Sequence, residues 1–137
     1  MVSSKKIIDL ARETLGTPYH HQGRVNQVGL DCIGVLEYVA NNLGVEYIDG
    51  QNYSKFPHDG LLEYAIGLQG CMTQVFEKQP GDVFLMRFQK ETQHVAIFTG
   101  DTIIHSYESI GRVVEHSLDD VWEKRITHIF RFTGVEV

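Results

Sequence analysis

The pattern of apolar positions at the start of the chain predicts a helix. Over residues 3–15, Ile7, Ala11 and Leu15 recur every four positions, which places their side chains on one face of a helix. A serine precedes this run and can cap it, and Gly16 is placed to end it. We therefore expect an amphipathic helix whose apolar stripe covers a core.

A second helix is predicted from about Cys32 to Leu43, where apolar residues again follow the helical period. Asp31 is a favourable N-cap residue, and Gly44 is a favourable terminator. The segment 17–30 between the two helices is polar and contains glycine. It is therefore expected to be an irregular loop.

The second half of the chain has the pattern of β-strands. Short runs rich in β-branched and aromatic residues alternate with turn residues, and they predict strands at Val83–Phe88, His94–Thr99, Thr102–Tyr107, Arg112–His116 and Ile126–Phe132. Gly100-Asp101 predicts a tight hairpin between the second and third of these strands. Residues 45–80 are less regular and contain a short candidate helix at 61–68. Helices followed by an antiparallel sheet are typical of an α+β fold.

Length and composition narrow the class of protein. The chain has 137 residues, which corresponds to one domain spanning residues 1–137. A hydrophobic fraction of 42% and a charged fraction of 22% are those of a globular protein rather than a disordered one. The net charge of −6 argues against a nucleic-acid partner, because binding to phosphates needs clustered positive charge.

The location of the protein is also constrained by the sequence. No apolar run approaches the ~18 residues of a membrane span, so no membrane partner is expected. The first residues lack the apolar stretch of a signal peptide. We expect synthesis in the cytoplasm without a signal peptide, so that action elsewhere requires another route of delivery.

Cys32 is the first candidate for chemistry. The chain has two cysteines, Cys32 and Cys71, too few for a disulfide-rich scaffold, and both are expected to be free thiols. Cys32 lies in the first turn of the predicted second helix, where the helix dipole lowers the pKa of a thiol by about one unit. A nucleophilic thiol therefore also needs a neighbouring imidazole. The alternative is that Cys32 is a small core residue.

Two histidines are predicted to meet on the sheet. If Gly100-Asp101 is a two-residue turn, His94 lies opposite Tyr107, and Ala96 lies opposite His105. Residues two apart in a strand share a face, so the two imidazoles become diagonal neighbours. One imidazole can then orient the other, as the third member of a catalytic triad does. The alternative is two histidines with a purely structural role.

A metal site is a further alternative for these three residues. Cys32, His94 and His105 could in principle supply three ligands to a catalytic zinc ion. The chain lacks the CxxC, HxxxH or HExxH spacing that supports such a site. We therefore expect no metal and no other cofactor.

Five segments follow one another along the chain: Leu15-Gly16-Thr17-Pro18-Tyr19, Gly29-Leu30-Asp31-Cys32-Ile33-Gly34, Pro80-Gly81-Asp82-Val83, His94-Val95-Ala96-Ile97-Phe98 and Ile104-His105-Ser106. In this order they resemble the NlpC-type cell-wall cysteine peptidases, a bacterial papain-like family. The segment His21-Gln22-Gly23-Arg24 resembles the subgroup found with phage tail genes. The resemblance covers about residues 5–132 and implies a papain-like fold, in which N-terminal helices, with the nucleophile at a helix start, pack on the sheet.

The resemblance also implies a role for each matching residue. Cys32 matches the nucleophile, His94 the general base and His105 the polar residue that orients the base. Tyr19 and Asp31 match positions beside the nucleophile and are assigned to substrate binding.

The sequence departs from the family pattern at two positions. Ile33 stands where the family often has serine, and Ala96 where it often has glycine. These changes are small enough to leave the mechanism intact, and they can narrow the pocket.

The implied activity is hydrolysis of an amide bond in the stem peptides of peptidoglycan, after γ-D-glutamate. Peptidoglycan peptide is then the substrate, and phage tail proteins and the virion are the implied partners and destination. One alternative is a papain-like amidase or acyltransferase that acts on a small molecule, because a fold does not fix a substrate. Another is a structural module of a phage tail without activity.

Overall fold

The computed structural model describes residues 2–50 and 53–136. Within them, the helices are α1 (Ser4–Arg12), α2 (Cys32–Leu43), α3 (Leu61–Gly67) and α4 (Asp120–Glu123). The strands are β1 (Val2–Ser3), β2 (Arg24–Val25), β3 (Gly29–Leu30), β4 (Met72–Val75), β5 (Val83–Phe88), β6 (Glu91–Phe98), β7 (Thr102–Ser106), β8 (Val113–Ser117), β9 (Ile126–Phe132) and β10 (Val135–Glu136). No helix among the described residues is long and apolar enough to cross a membrane.

One sheet of six strands, in the order β4-β9-β5-β6-β7-β8, forms the centre of the molecule. Every neighbouring pair in it is antiparallel. The main core lies between this sheet and the first two helices, and its buried side chains include Ile7, Leu36, Val39, Leu85, Ile97 and Ile104. The predicted α+β architecture, with N-terminal helices packed on an antiparallel sheet, is the one observed.

Helix α2 matches its predicted bounds because both of its ends are set locally. The Asp31 carboxylate accepts a hydrogen bond from the Gly34 backbone N–H at 2.8 Å, which satisfies one of the free donors of the first turn. Gly44 ends the helix in the left-handed conformation, at φ 76°. The start of α2 is therefore fixed by the residue that directly precedes Cys32.

Helix α1 ends earlier than the predicted 3–15. It is capped by Ser3, whose hydroxyl accepts from the Lys6 backbone N–H at 3.1 Å, and it stops at Arg12. Beyond it the chain turns towards the sheet, where the Gly16 N–H donates to the Val113 carbonyl at 3.0 Å. Residues 13–15 form a tighter turn instead of the last predicted helical turn, with the Thr14 N–H donating to the Ala11 carbonyl at 3.1 Å.

The hairpin between β6 and β7 has the predicted two-residue turn at Gly100-Asp101. Ile97 pairs with Ile104, and Phe98 pairs with Ile103. The predictions for Val83–Phe88 and Ile126–Phe132 are confirmed at both ends.

Several short elements were not predicted. Strands β2 and β3 lie inside the segment 17–30, where an irregular loop was expected. Strand β4 pairs with β9 in a region with little apolar pattern. Strands β1 and β10, at the two ends of the described chain, pair in parallel.

Candidate active site

Cys32 begins α2 and lies against the sheet. The backbone N–H groups of Ile33 and Val95 point at its sulfur and lower the pKa of the thiol. Burial has the larger effect, followed by the negative charge of Asp31, and together they raise the pKa of Cys32 to about 12. The stabilisation expected from the helix start is therefore outweighed, and the thiol holds its proton at neutral pH unless a base removes it.

His94 and His105 meet as the hairpin register predicts. The Nε2 atom of His94 lies 2.6 Å from the Nδ1 atom of His105. Both side chains are buried, and desolvation is the main cause that lowers the pKa of each imidazole. Both rings are therefore neutral at pH 7. Nε2 of His94 is engaged with His105, and Nδ1 is the ring nitrogen outside this contact.

A third imidazole, His116, extends this pair, although no partner for it was expected from the sequence. Its Nε2 atom lies 2.8 Å from Nε2 of His105, and its Nδ1 atom lies 3.0 Å from the Ser117 carbonyl oxygen. Ile103 of β7 pairs with His116 of β8, which places His116 diagonal to His105. The three histidines are spaced eleven residues apart, a regularity that could have suggested the row.

Aromatic side chains cover this row of histidines. Phe88 stacks on His94 with the ring centroids 4.9 Å apart. The Trp122 ring lies 4.9 Å from His105 and 5.4 Å from His116. This cover keeps water from most of the row and explains why desolvation dominates the titration of His94 and His105.

Asp31 is surrounded by donors. Its carboxylate accepts hydrogen bonds from the backbone N–H groups of Gln22 and Gly34, both at 2.8 Å. Arg24 donates to it at 3.1 Å, and the Tyr53 hydroxyl donates to the second oxygen. Both carboxylate oxygens therefore have partners within the protein.

Arg24 connects this carboxylate to a second one. Its guanidinium binds Asp49 through two hydrogen bonds, of 2.7 and 3.0 Å, and also donates to the Tyr53 hydroxyl at 2.8 Å. The acidic partners raise the pKa of Arg24, against the opposing effect of burial. The His21–Arg24 segment thus contributes the cation that holds the loop before Cys32 to Asp49 and Tyr53.

Tyr19 also lies close to Cys32. Its backbone N–H donates to the Gly111 carbonyl at 2.8 Å, and it forms an isolated bridge with Leu30. Burial, together with the negative charge of Asp31, raises the pKa of the Tyr19 hydroxyl to about 12. The phenol is therefore a neutral hydrogen-bond donor at any physiological pH.

A cavity of ≈ 490 Å³ joins these groups. Cys32, His94, Tyr19 and Asp31 all line it, whereas His105 lies behind His94 and does not. The opposite wall comes from residues within 47–50 and 53–69. It is largely apolar, with Tyr47, Phe56, Leu61, Leu62 and Ile66.

The two cysteines do not form a disulfide. Among the described residues, no cluster of side chains is arranged as a metal site. Cys32 and Cys71 are both free thiols. No group of three or more His, Cys, Asp or Glu side chains in ranges 2–50 and 53–136 is arranged to hold a metal ion. In the row of histidines, the ring nitrogens face one another instead of a common point.

Glycines allow the loop before Cys32 to pack tightly against α2. A Cβ atom on Gly34 would lie 2.3 Å from the Gly23 carbonyl oxygen, and one on Gly23 would lie 2.5 Å from the Gly29 carbonyl oxygen. Real Cβ atoms do not approach backbone oxygen so closely. The glycine two residues after Cys32 is therefore required by packing.

We expect Gly34→Ala to lower the free energy of unfolding by about 1–3 kcal/mol, because the added methyl group must displace the Gly23 backbone. Urea denaturation measures this change. Gly70→Ala is the matched control, since a Cβ atom there meets nothing within 4 Å. Equal stability of the two variants would contradict the tight packing.

Comparison with known proteins gives one family. Residues 16–131 match the model of the NlpC/P60 family. The γ-DL-glutamyl hydrolase of Bacillus subtilis (strain 168) is 24% identical over 135 residues, which cover 96% of this chain and 30% of that protein. The chain therefore spans about a third of the length of this curated relative.

Solved structures share the fold. The NlpC/p60 domain of the peptidoglycan hydrolase SagA superposes with a TM-score of 0.67 at 24% identity, covering 93% of this chain and 97% of that one. An NlpC/P60 family protein from Bacillus cereus ATCC 10987 gives 0.68 at 21% identity, covering 94% and 40%. The peptidoglycan hydrolase RipB of Mycobacterium tuberculosis gives 0.59 at 19% identity, covering 93% and 63%. The papain-like α+β fold is thereby confirmed.

Proposed function

This chain belongs to the NlpC/P60 family of cysteine peptidases and hydrolases, and from that premise we propose that it hydrolyses an amide bond in the stem peptides of peptidoglycan, after γ-D-glutamate. The observation that carries the proposal is the cavity that Cys32 and His94 both line, with His105 bonded to His94 from behind. The similarity to the γ-DL-glutamyl hydrolase of Bacillus subtilis supports the γ-glutamyl bond.

In the proposed mechanism, Cys32 is the nucleophile and His94 is the general base. Nδ1 of His94 takes the thiol proton as the sulfur attacks the carbonyl carbon, and it then gives this proton to the leaving amine. The backbone N–H of Cys32 donates to the developing oxyanion. Water, deprotonated by His94, hydrolyses the thioester and releases the acid with the free thiol.

Tyr19 and Asp31 take different roles in this proposal. The neutral Tyr19 phenol lines the cavity and donates a hydrogen bond to bound substrate. The Asp31 oxygens already accept hydrogen bonds from four partners, which are Gln22, Gly34, Arg24 and Tyr53. In this proposal Asp31 therefore positions the start of α2 and does not bind substrate directly.

The lowered pKa of His94 sets the acid limit of activity. Only a neutral imidazole can accept the thiol proton, and burial keeps His94 neutral below the ordinary value of 6.5. We expect kcat/KM at pH 5.5 to be at least half of its value at pH 7. An acid limb centred at or above pH 6.5 would contradict this expectation.

Burial of His94 and His105 also lowers the free energy of unfolding in acid. The folded state must therefore be monitored together with kcat/KM. The unfolded chain binds protons at its histidines below pH 6.5, whereas the folded chain does so only at lower pH. Stability is therefore complete above pH 6.5 and falls as the pH is lowered. Circular dichroism at each pH separates unfolding from loss of the base.

Digestion of purified muropeptides tests the substrate. Mass spectrometry of the products should show a new free carboxyl group on γ-D-glutamate and a new free amine on the residue that followed it. Cleavage at another bond would overturn the assigned bond, and complete resistance of all muropeptides would overturn the substrate class.

A second candidate function is amide hydrolysis or acyl transfer on a small apolar molecule. The observation that favours it is the apolar wall opposite Cys32, with Phe56, Leu61 and Leu62, since stem peptides are polar. A panel of acyl donors, incubated in parallel with muropeptides, distinguishes the two functions by the covalent mass added to Cys32.

We also propose that residues 1–137 form a single domain. The pairing of β1 with β10 supports this.

We propose further that the protein is made in the cytoplasm and delivered in a virion, with phage tail proteins as partners. The resemblance of His21–Arg24 supports the tail, and the net charge of −6 means that binding to an anionic wall needs a partner. Immunodetection in purified virions tests this delivery.

A further inference from the structure

The row of three histidines ends on a backbone carbonyl, and this end fixes the position of a proton. A carbonyl oxygen can only accept a hydrogen bond, so Nδ1 of His116 must donate to the Ser117 oxygen, 3.0 Å away. A neutral imidazole carries one N–H. Nε2 of neutral His116 is therefore an acceptor.

The same rule then applies along the row. Nε2 of His105 lies 2.8 Å from Nε2 of His116, so His105 must donate from Nε2 and accept at Nδ1. Nε2 of His94 lies 2.6 Å from that Nδ1, so His94 must donate from Nε2. Nδ1 of His94 is left without a proton, which is the form that a general base at this atom requires.

We propose that His116 is a positioning residue that selects the tautomer of His94 through His105, with the Ser117 carbonyl as the fixed end of the row. This inference rests on the proposed role of His94 as the base for Cys32. It extends the site beyond Cys32, His94 and His105 by one residue on β8, the strand at the edge of the sheet.

The burial of the row makes this selection strong. His94 and His105 are exposed by 2% and 0% of their surface, so no water can supply a substitute partner without rearrangement. Trp122 lies against all three rings and limits their rotation. A buried ring nitrogen without its partner leaves an uncompensated desolvation cost, so the tautomers change together rather than singly.

Two substitutions of opposite hydrogen-bonding character test the proposal. His116→Lys offers only donors to His105, which reverses the row and puts a proton on Nδ1 of His94. His116→Glu offers only acceptors at pH 8, which preserves the original tautomer. His116 is half-buried on an edge strand, and Ser117→Ala is the matched control because it keeps the backbone carbonyl.

The first measurement is the ¹⁵N spectrum of the imidazole nitrogens at pH 8, which distinguishes protonated from unprotonated nitrogen. We expect an unprotonated Nδ1 of His94 in the wild type, in His116→Glu and in Ser117→Ala, and a protonated Nδ1 in His116→Lys. A protonated Nδ1 in the wild type, or the same spectrum for His94 in the Lys and Glu variants, would overturn the proposal.

The second measurement is the rate at which iodoacetamide alkylates Cys32. A misplaced proton on His94 prevents it from accepting the thiol proton, so the rate should fall about tenfold or more in His116→Lys, because general-base catalysis contributes about 10²–10⁴-fold. The Glu variant and the Ser117→Ala control should retain the wild-type rate. Equal rates in the Lys and Glu variants would refute the positioning role. Neither measurement uses peptidoglycan, so a failed muropeptide digestion counts against the proposed function alone.

Discussion

Cys32→Ala should reduce the hydrolysis of muropeptides to about 10⁻⁴ of the wild-type rate or below, because removal of a nucleophile leaves only the contribution of binding and of the oxyanion donor. The fold should survive. The substitution removes one sulfur atom from a partly buried side chain and leaves the Asp31 cap and the first turn of α2 unchanged. Product formation followed by chromatography, with thermal unfolding of the same preparation, measures both effects.

The chain provides its own control for this experiment in Cys71. It is also a free thiol, but it is buried near the start of β4, and it does not line the cavity. Cys71→Ala should keep full activity and lose only about 1 kcal/mol of stability. Full activity in Cys32→Ala would eliminate the thioester mechanism, whereas a wild type without activity on any acyl donor would favour a structural tail module. Loss of wild-type activity to a chelator, with recovery on adding zinc, would replace it with a metal mechanism.

Asp31→Ala should be the most destabilising of the substitutions considered, with a loss of about 3–5 kcal/mol in the free energy of unfolding. Asp31 is 3% exposed, and its removal leaves the Arg24 guanidinium with a single carboxylate partner, Asp49, in a buried setting. The N-cap of α2 is lost in the same step. Urea denaturation measures the stability, and kcat measured well below the unfolding midpoint reports the displacement of Cys32.

The control for Asp31→Ala is a substitution that removes one charge from an exposed ion pair. Lys5 and Asp9 form an ion pair of 2.6 Å on α1, with the Lys5 side chain 85% exposed. Lys5→Ala should leave the unfolding midpoint unchanged, because exposed pairs contribute little. Asp31→Asn adds a second comparison, since it keeps the shape and one acceptor oxygen. Stability in Asp31→Ala equal to that of Lys5→Ala would show that the buried network does not hold α2.

The elements that could be predicted from the sequence are those determined by residues close to them. Helix α2 has Asp31 at one end and Gly44 at the other, and both act within one turn. The meeting of His94 with His105 followed from a two-residue turn, because the turn alone fixes the register of the two strands.

What could not be predicted depends on contacts between distant segments. His116 reaches His105 only through the register of β7 and β8, and the connection between these strands is too long for its residues to fix that register. The Arg24 network joins three separate segments, and no spacing in the sequence links Arg24 to Asp49 or Tyr53. Strand β4 has one buried residue, Met72, and so has almost no pattern to detect.

The order of the strands has a consequence for how the protein folds. The row of histidines is built from β6, β7 and β8, which are consecutive in the chain and adjacent in the sheet. Contacts between such neighbours close short loops and form early. Cys32 lies in a distant part of the chain, so we expect α2 to dock after these strands have paired. His94 and its supports would then be in place before Cys32, and a partly folded chain would lack the complete site until α2 docks.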